Sequence, residues 1–305
     1  MKIDIIIPNY NGSALIEKNL DDVLKHTKKY DAQIIIVDDF SKKEDFEKVE
    51  RFVEGKKGVK LLRNDRNLGF SSTINRGVRE SDADLLVLLN TDVAPEENFL
   101  DAALDDFKSD ENLFGVGFMD KSVEGERLVL RGRGLATWKR GFLIHRRGEV
   151  DKSDTFWISG GSSAVRRELF VKLGGMDELY NPFYWEDIDL SYRARKSGYN
   201  IIFEEKCVVV HNHQEGSIKR HYNNSQIKKI AYRNQLIFVW KNITDLKLLV
   251  SHIIWLPINV VLSVPRLDSA FIVALFNAMT KIPAIINKRG KQKRFYKKRD
   301  SELIS

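Results

Sequence analysis

The stretch DADLLVLLNTDVAPEENF, residues 82–99, decides the fold. Its centre, Leu85 to Leu89, is apolar at every position and ends abruptly in Asn90-Thr91-Asp92. A short run of that kind reads as a strand covered on both faces. Ligands of such sheets lie at the carboxyl ends of the strands, so Asp92 falls where a ligand is expected. The tripeptide also has a plain reading as turn chemistry, with Pro95, Glu96 and Glu97 opening a helix. Its surroundings weigh between the two.

Three runs of the same type precede it: IDIII (3–7), QIIIV (33–37) and VKLL (59–62). Helix-periodic segments, Ala14 to Lys28 and Ser71 to Glu80, lie between them. The alternation predicts an α/β fold with a mostly parallel, Rossmann-like central sheet flanked by helices. Pro8-Asn9-Tyr10, Asp38-Asp39 and Asn90-Thr91-Asp92 then converge on one sheet edge. Asp38 and Asp39 can accept hydrogen bonds from a nucleobase or a ribose, although Ser41 also allows Asp39 to cap the next helix. The stretch NDRNLGFSSTINRG, residues 64–77, is a glycine-punctuated turn entering a helix and offers backbone N–H groups, with Arg63 beside it, to phosphate or base. It matches neither the Walker P-loop nor the GxGxxG fingerprint, which argues against nicotinamide chemistry.

Farther on, GVGF (115–118) and TFWIS (155–159) are strand candidates, and Arg131 to Arg147 is a basic loop or hairpin. A helix from Arg166 to Leu173 stops at Gly174-Gly175, and another runs from about Trp185 to Gly198. Its setting, LYNPFYWEDIDLSYRARKSG (179–198), is the richest segment of the chain. Glu186 and Asp187 occupy the first helical turn, where negative charge is favoured. Phe183, Tyr184 and Trp185 offer an aromatic wall that can desolvate a carboxylate and raise its pKa toward that of a general base. Asp189 and Arg193, four residues apart, read as a structural ion pair. NIIF (200–203) and CVVV (207–210) are two last strands, ending at His211-Asn212-His213 with Ser217 beyond. Imidazole beside a carboxylate suits Mn²⁺, which makes His211, and less readily His213, a candidate ligand.

The net charge of +7 would suggest nucleic acid if it were evenly spread, but it is not. Residues 219–305 carry +13 and residues 1–218 carry −6. The single cysteine, Cys207, excludes an internal disulfide and fits a reducing compartment. No signal-peptide pattern opens the chain, so a cytoplasmic location is expected.

In the tail, Leu248 to Val264 and Ala270 to Ile286 are largely apolar, with Ser251, His252, Asn259 and Ser263 on one helical face of the first. Pro257, Pro265 and Pro283 interrupt these runs, and each falls short of the ~20 residues of a membrane span. Two helices lying in an interface account for this better, with NKRGKQKRFYKKR (287–299) against anionic headgroups. Packing of the apolar faces on the catalytic domain or on a second copy, giving a homodimer, is the other reading.

Taken together, IIPNYNG, VDDFS, RNLGF, LLNTD, GGSSAVRRELF and the WEDIDLSYR helix resemble glycosyltransferase family 2, in its rhamnosyltransferase-like members, over about residues 3–217. The resemblance implies the GT-A fold in a domain of residues 1–217, followed by a helical, amphipathic, basic extension of residues 218–305. It implies a UDP- or dTDP-linked sugar donor, a divalent metal (Mn²⁺ or Mg²⁺), inversion at the anomeric carbon, and an acceptor hydroxyl on a lipid-linked or surface glycan. Pro8, Asn9, Tyr10 and Asp38 would hold base and ribose, with Asn67 and Gly69 nearby. Asn90, Thr91 and Asp92 stand at the family's Asp-x-Asp site. Asn90 replaces its first acid, so Asp92 is the metal ligand and a second one such as His211 is needed. Gly160, Gly161, Trp185 and Glu186 would line the sugar and acceptor pocket, and Asp187 matches the catalytic base.

Two other readings use parts of the same pattern. A sugar-1-phosphate nucleotidyltransferase would want an arginine-bearing Gly-rich loop after the first strand, and PNYNG lacks the arginine. A non-catalytic nucleotide-sugar or membrane-binding protein would not need both Asp92 and Asp187. A glycoside hydrolase has no use for the nucleotide-facing clusters at 8–10 and 38–39.

Overall fold

The computed structural model describes residues 1–124, 127–211, 221–263 and 269–304. The first four strands, β1 (Ile3–Asn9), β2 (Gln33–Asp38), β3 (Val59–Arg63) and β4 (Leu85–Leu89), are all parallel, in the order β3-β2-β1-β4. β1, β2 and β4 read as largely apolar runs because alternate residues serve two different cores. Ile5, Ile7, Ile34, Ile36, Val87 and Leu89 enter one, and Ile6, Ile35, Val37, Leu86 and Leu88 the other. Every residue of β4 is buried, and burying such side chains contributes about 1.5–3 kcal/mol each. Helices α1 (Ser13–Thr27), α2 (Lys43–Val53) and α3 (Phe70–Arg79) make the crossovers. The three-residue strand β5 (Val93–Pro95) and helix α4 (Asp101–Ser109) follow.

The second half of the sheet is mixed. Strand β6 (Leu113–Glu124) carries β7 (Arg127–Arg131) antiparallel on part of its edge. Strand β10 (Ser162–Arg166) lies antiparallel between β4 and β6. The runs NIIF and CVVV form one strand, β11 (Asn200–His211), which is parallel to β6 with a register shift between Glu204 and Val208 and antiparallel to β5. The basic segment is a hairpin of β8 (Gly134–Lys139) and β9 (Phe142–Arg147). TFWIS is not a strand. Ile158 lies against the face of β6 at Gly115 and Gly117, the Asp154–Ile202 bridge lies beside the segment, and the Phe156 N–H donates to the Gly134 carbonyl at 2.7 Å. Helix α5 is Arg167–Lys172 and α6 is Glu186–Lys196.

Among the described residues four helices follow: α7 (Asn224–Asn242), α8 (Leu246–Ser263), α9 (Ser269–Met279) and α10 (Ile282–Lys293). The boundary expected at residues 217 and 218 lies outside the described residues, as do His213 and Ser217. Helices α7 and α6 are joined by buried charge. Lys241 Nζ lies 2.6 Å from Asp177 and 2.7 Å from Asp189, and Asp189 pairs with Arg193 at 2.7 Å as its spacing suggested. Asp300, near the C-terminus, is fully buried and accepts from Lys196, Tyr192 and the backbone N–H groups of Thr244 and Asp245.

The faces of α8 are the reverse of those of a helix packing its apolar side on a soluble core. The polar face of α8 is turned inward: Ser251 accepts from Trp138 Nε1, His252 from Trp240 Nε1, and Asn259 donates to the Arg140 carbonyl. The apolar face is open, with Leu246 75%, Ile253 69% and Val261 68% exposed. At 18 residues, α8 is long and apolar enough to cross a membrane, and α9 with α10 would qualify as a second only as one span bent by 66°.

Candidate active site

A cleft of about 530 Å³ opens at the carboxyl ends of β1 and β4. It is lined by Pro8, Asn9, Tyr10, Asn67, Gly69, Asn90, Thr91, Asp92, Gly160, Gly161, Glu186, Asp187 and His211, so nearly all of the residues singled out from the sequence meet there. Two do not. Asp38 is fully buried behind the wall, accepting from Asn9 Nδ2 at 2.8 Å and from the Ser41 N–H at 2.9 Å. Burial pushes its carboxyl up, and the Ser41 and Asn9 hydrogen bonds and the Arg63 charge hold it down only in part. The wall position expected of Asp38 belongs to Asp39, which accepts from the N–H groups of Leu68 and Gly69, both at 2.8 Å. Trp185 is the second. Its ring is buried between His145 and Phe238, with centroids 5.2 and 5.3 Å away, and Phe183 and Tyr184 supply the aromatic wall instead. Arg63 is spent on Phe46, with its guanidinium 4.2 Å from the ring centre, and on the Ser41 carbonyl.

The carboxylate and imidazole at the sheet edge are brought together by strand register. His211 pairs with Val93 across β11 and β5, which sets Asp92 Oδ2 3.2 Å from His211 Nε2. On the other side of β11, Asp120 on β6 accepts from His211 Nδ1 at 2.7 Å. Burial lowers the imidazole pKa, but the hydrogen bonds to Asp120 and Asp92 outweigh it and raise the group to about 9. Among the described residues no group of three or more His, Cys, Asp or Glu side chains is arranged around one metal position. The donors nonetheless suit a hard divalent cation that keeps some of its positions for phosphate oxygens and water. Asp92 and His211 Nε2 face each other, and Asp120 fixes the Nδ1 proton, as an outer-sphere carboxylate does for a ligating histidine.

Asn90 has a packing role as well as a place in the cleft. A Cβ on Gly161 would come within 2.2 Å of Asn90 Nδ2, and the Asn90 N–H donates to the Gly161 carbonyl at 3.0 Å. The Gly-Gly pair therefore lets β10 close on the Asp-x-Asp position. Gly69, at φ +86°, turns the chain into α3 in a conformation that side chains disfavour.

At the opposite end of the motif list, Asp187 opens α6 and accepts from the N–H groups of Ile188 at 2.7 Å and Gly160 at 3.4 Å. Burial raises its pKa, which those bonds restrain. Burial, and then the neighbouring Asp187 charge, push the Glu186 carboxyl well above its ordinary value. Its Oε2 is buried and has no hydrogen-bond partner among the described residues. Tyr184 and Trp185, immediately before, both sit at left-handed φ, 70° and 76°, at about 1–3 kcal/mol each for bulky residues. Wall and support residues beyond those the sequence singles out include Asp120, Arg131, His221 and Tyr222. Arg131 begins the basic run and Asp120 follows GVGF, but nothing in their local patterns marks them.

Solved structures with the same architecture are glycosyltransferases. The crystal structure of GalNAc-T7 with UDP, GalNAc and Mn²⁺ matches with a TM-score of 0.64 at 20% identity, over 79% of this chain and 48% of that one. Mannosyltransferase PcManGT from Pyrobaculum calidifontis, in complex with GDP-Man and Mn²⁺, matches at 0.57 and 16% identity, over 91% and 87%. Among sequences, the N-acetylglucosaminyl-diphospho-decaprenol L-rhamnosyltransferase of Mycobacterium tuberculosis is 27% identical over 50% of this chain and 59% of its own. The O-antigen chain rhamnosyltransferase RfbN of Salmonella typhimurium is 24% identical over 70% and 67%. The chain spans 27% of an uncharacterised Sinorhizobium fredii relative, y4gI, to which it is 22% identical. The likeness to the solved structures shows the GT-A fold. Residues 4–174, more than half of the chain, match glycosyl transferase family 2, and the chain belongs to that family.

Proposed function

We propose that the protein transfers a sugar from a UDP- or dTDP-linked donor to an acceptor hydroxyl of a lipid-linked or surface glycan, with inversion at the anomeric carbon. The observation that carries this reading is one cleft holding two separated acidic centres, Asp92 with His211 at the sheet edge and Asp187 at the start of α6. Rhamnose is the favoured sugar, because two relatives are named rhamnosyltransferases.

In this mechanism Pro8, Asn9, Tyr10 and Asp39 hold the nucleoside, with Asn67 and Gly69 beside them. Asp187, raised by burial, takes the proton of the acceptor hydroxyl as that oxygen attacks. Glu186 lines the pocket beside Asp187, and Phe183 and Tyr184 exclude water. Asp92 and His211 would hold a divalent metal, which supplies neutralisation of the negative charge on the departing nucleoside diphosphate.

Screening UDP-, dTDP- and GDP-sugars for thermal stabilisation with Mn²⁺ or Mg²⁺ tests the donor. A bound donor at 100 times its Kd stabilises by about 2.7 kcal/mol, and the shift is expected only with metal present. Nuclear magnetic resonance of the product then reads the anomeric configuration. Retained configuration, or no response to any nucleotide-sugar, overturns the reading.

We also propose that the open apolar face of α8 seats the protein on an anionic membrane surface from the cytoplasmic side. The exposed Lys297, Lys298 and Arg299 add electrostatic attraction. Ile253→Ser with Val261→Ser should abolish flotation with phosphatidylglycerol vesicles. Unchanged flotation, with dissociation of a dimer in sedimentation, would assign the face to self-association instead.

A further inference from the structure

The loop that presents Asp187 is held by α7, and both lie beyond the family-matched residues 4–174. Residues 180–185 turn sharply into α6 through the two left-handed residues Tyr184 and Trp185. The conformation turns carbonyl groups toward α7, and one side chain there collects them. Asn234 is fully buried, and its Nδ2 lies 2.8 Å from the carbonyl oxygen of Tyr180, 2.9 Å from that of Phe183 and 2.8 Å from that of Tyr184. An amide nitrogen has two protons, so three acceptors at this distance use all of its donor capacity with one proton shared.

The amide is itself oriented. Arg233 Nε donates to Asn234 Oδ1 at 2.9 Å, which fixes which end of the amide faces the loop, and Arg233 Nη2 donates to the Asn181 carbonyl at 2.6 Å. One turn farther along α7, Phe238 packs against the Trp185 ring. Backbone and side chain of the strained pair are thus gripped by the same helix face. The Trp185 carbonyl accepts from the Asp189 N–H at 2.8 Å, so the grip passes directly into the first turn of α6, where Glu186 and Asp187 sit.

We infer that Asn234, oriented by Arg233, is a positioning residue that keeps the 180–185 loop in its left-handed turn and thereby aims Asp187 at the acceptor. This rests on the assignment of Asp187 as the base. Residues 233 and 234 lie beyond residues 4–174, so the family match does not account for them. A donor of this geometry is also not needed to stabilise α7 itself, whose interior hydrogen bonds are made by its backbone.

The test compares Asn234→Ala, Arg233→Gln and Asp187→Asn with the parent, using the panel donor of highest turnover. A displacement of about 1 Å at a reacting group costs on the order of 100-fold in rate. Asn234→Ala should therefore lose about that much kcat, while the Kd for UDP with Mn²⁺ stays within about two-fold, because donor binding is spared by a loop movement alone. Amide hydrogen exchange should accelerate over residues 183–188. Arg233→Gln, which leaves the buried amide in place, should show the same split with a smaller loss and serves if Asn234→Ala does not fold. Parental kcat in a folded Asn234→Ala or Arg233→Gln, or an equal loss of kcat and UDP affinity, overturns the inference. If Asp187→Asn transfers sugar like the parent, the base assignment itself has failed. An inactive Asp187→Asn beside a fully active Asn234→Ala would defeat only the positioning role.

Discussion

Replacing Asp300 with alanine should cost far more than its place five residues from the end of the chain suggests. Its carboxylate is fully buried and accepts from Lys196 Nζ and the Tyr192 hydroxyl at one oxygen. The other oxygen accepts from the N–H groups of Thr244 at 2.6 Å and Asp245 at 2.7 Å. Removing it leaves the Lys196 ammonium buried without its counter-charge, a change that costs about 3–5 kcal/mol. Set against a total stability of about 5–15 kcal/mol, that is a third or more for most of the range. At about 2–3 °C per kcal/mol for a chain of this size, melting should fall by roughly 6–15 °C. Circular dichroism melts and urea titrations read the effect. Lys2→Ala, which breaks the exposed pair with Asp82, is the control and should leave melting where it was. Pairing Asp300→Leu with Lys196→Met should recover only the part of the loss due to the unpaired ammonium, because the Tyr192 hydroxyl and the Thr244 and Asp245 N–H groups still lack their acceptor. A drop of less than about 2 °C for Asp300→Ala would refute the view that the C-terminal segment is built into the catalytic core, where its charge outweighs any end fraying.

Three further outcomes follow from the same geometry. Burial pushes Asp177 and Asp189 up, but Lys241, with Lys288 at Asp177 and Arg193 at Asp189, outweighs it and holds both carboxyls below their ordinary value. Their folded pKa values being lower than the unfolded value near 3.9, their contribution is complete above about pH 5 and is lost as pH falls through 4 and below; urea midpoints should drop there, and less so in Lys241→Met. Glu186 has the opposite sign: its raised folded pKa means that its contribution is present below the unfolded value near 4.3 and is lost as pH rises, so Glu186→Gln should gain melting temperature relative to the parent as pH increases. Gly161→Ala would drive a methyl to within 2.2 Å of Asn90 Nδ2, and such overpacking costs about 1–3 kcal/mol; UDP with Mn²⁺ should bind more weakly by calorimetry, and unchanged affinity would contradict the close contact.

Much of this was legible because strands buried on both faces announce themselves. The runs at 3–7, 33–37 and 85–89 are apolar at every position except Asp4 and Gln33, so their carboxyl ends, and the clusters Pro8 to Tyr10 and Asn90 to Asp92, could be set on one edge from the sequence alone. The choice of Asp38 over Asp39 could not, since both follow the same strand and a one-residue difference in side-chain direction decides which is buried. Trp185 misled for a related reason: its left-handed backbone reverses the side chain, and nothing in the letters FYW signals that conformation. TFWIS has the composition of a strand but packs over the glycine face of β6, a relation set by residues forty positions earlier. In α8 the periodicity gave the two faces but not their direction, because a polar stripe satisfied by Trp138, Trp240 and Arg140 has the same pattern as one facing water. Asn234 and Asp120 act through long-range contacts and leave no local mark.

The most direct test of the two-centre cleft is sugar transfer and metal-dependent UDP binding measured side by side in Asp187→Asn and Asp92→Ala. Asp187→Asn should lose transfer by at least about 1,000-fold, within the 10²–10⁴ contributed by a general base, while binding UDP with Mn²⁺ like the parent. Asp92→Ala should lose the Mn²⁺-dependent part of UDP binding. Equal transfer by Asp187→Asn and the parent, or UDP binding in Asp92→Ala that still responds to Mn²⁺ as before, would contradict the account.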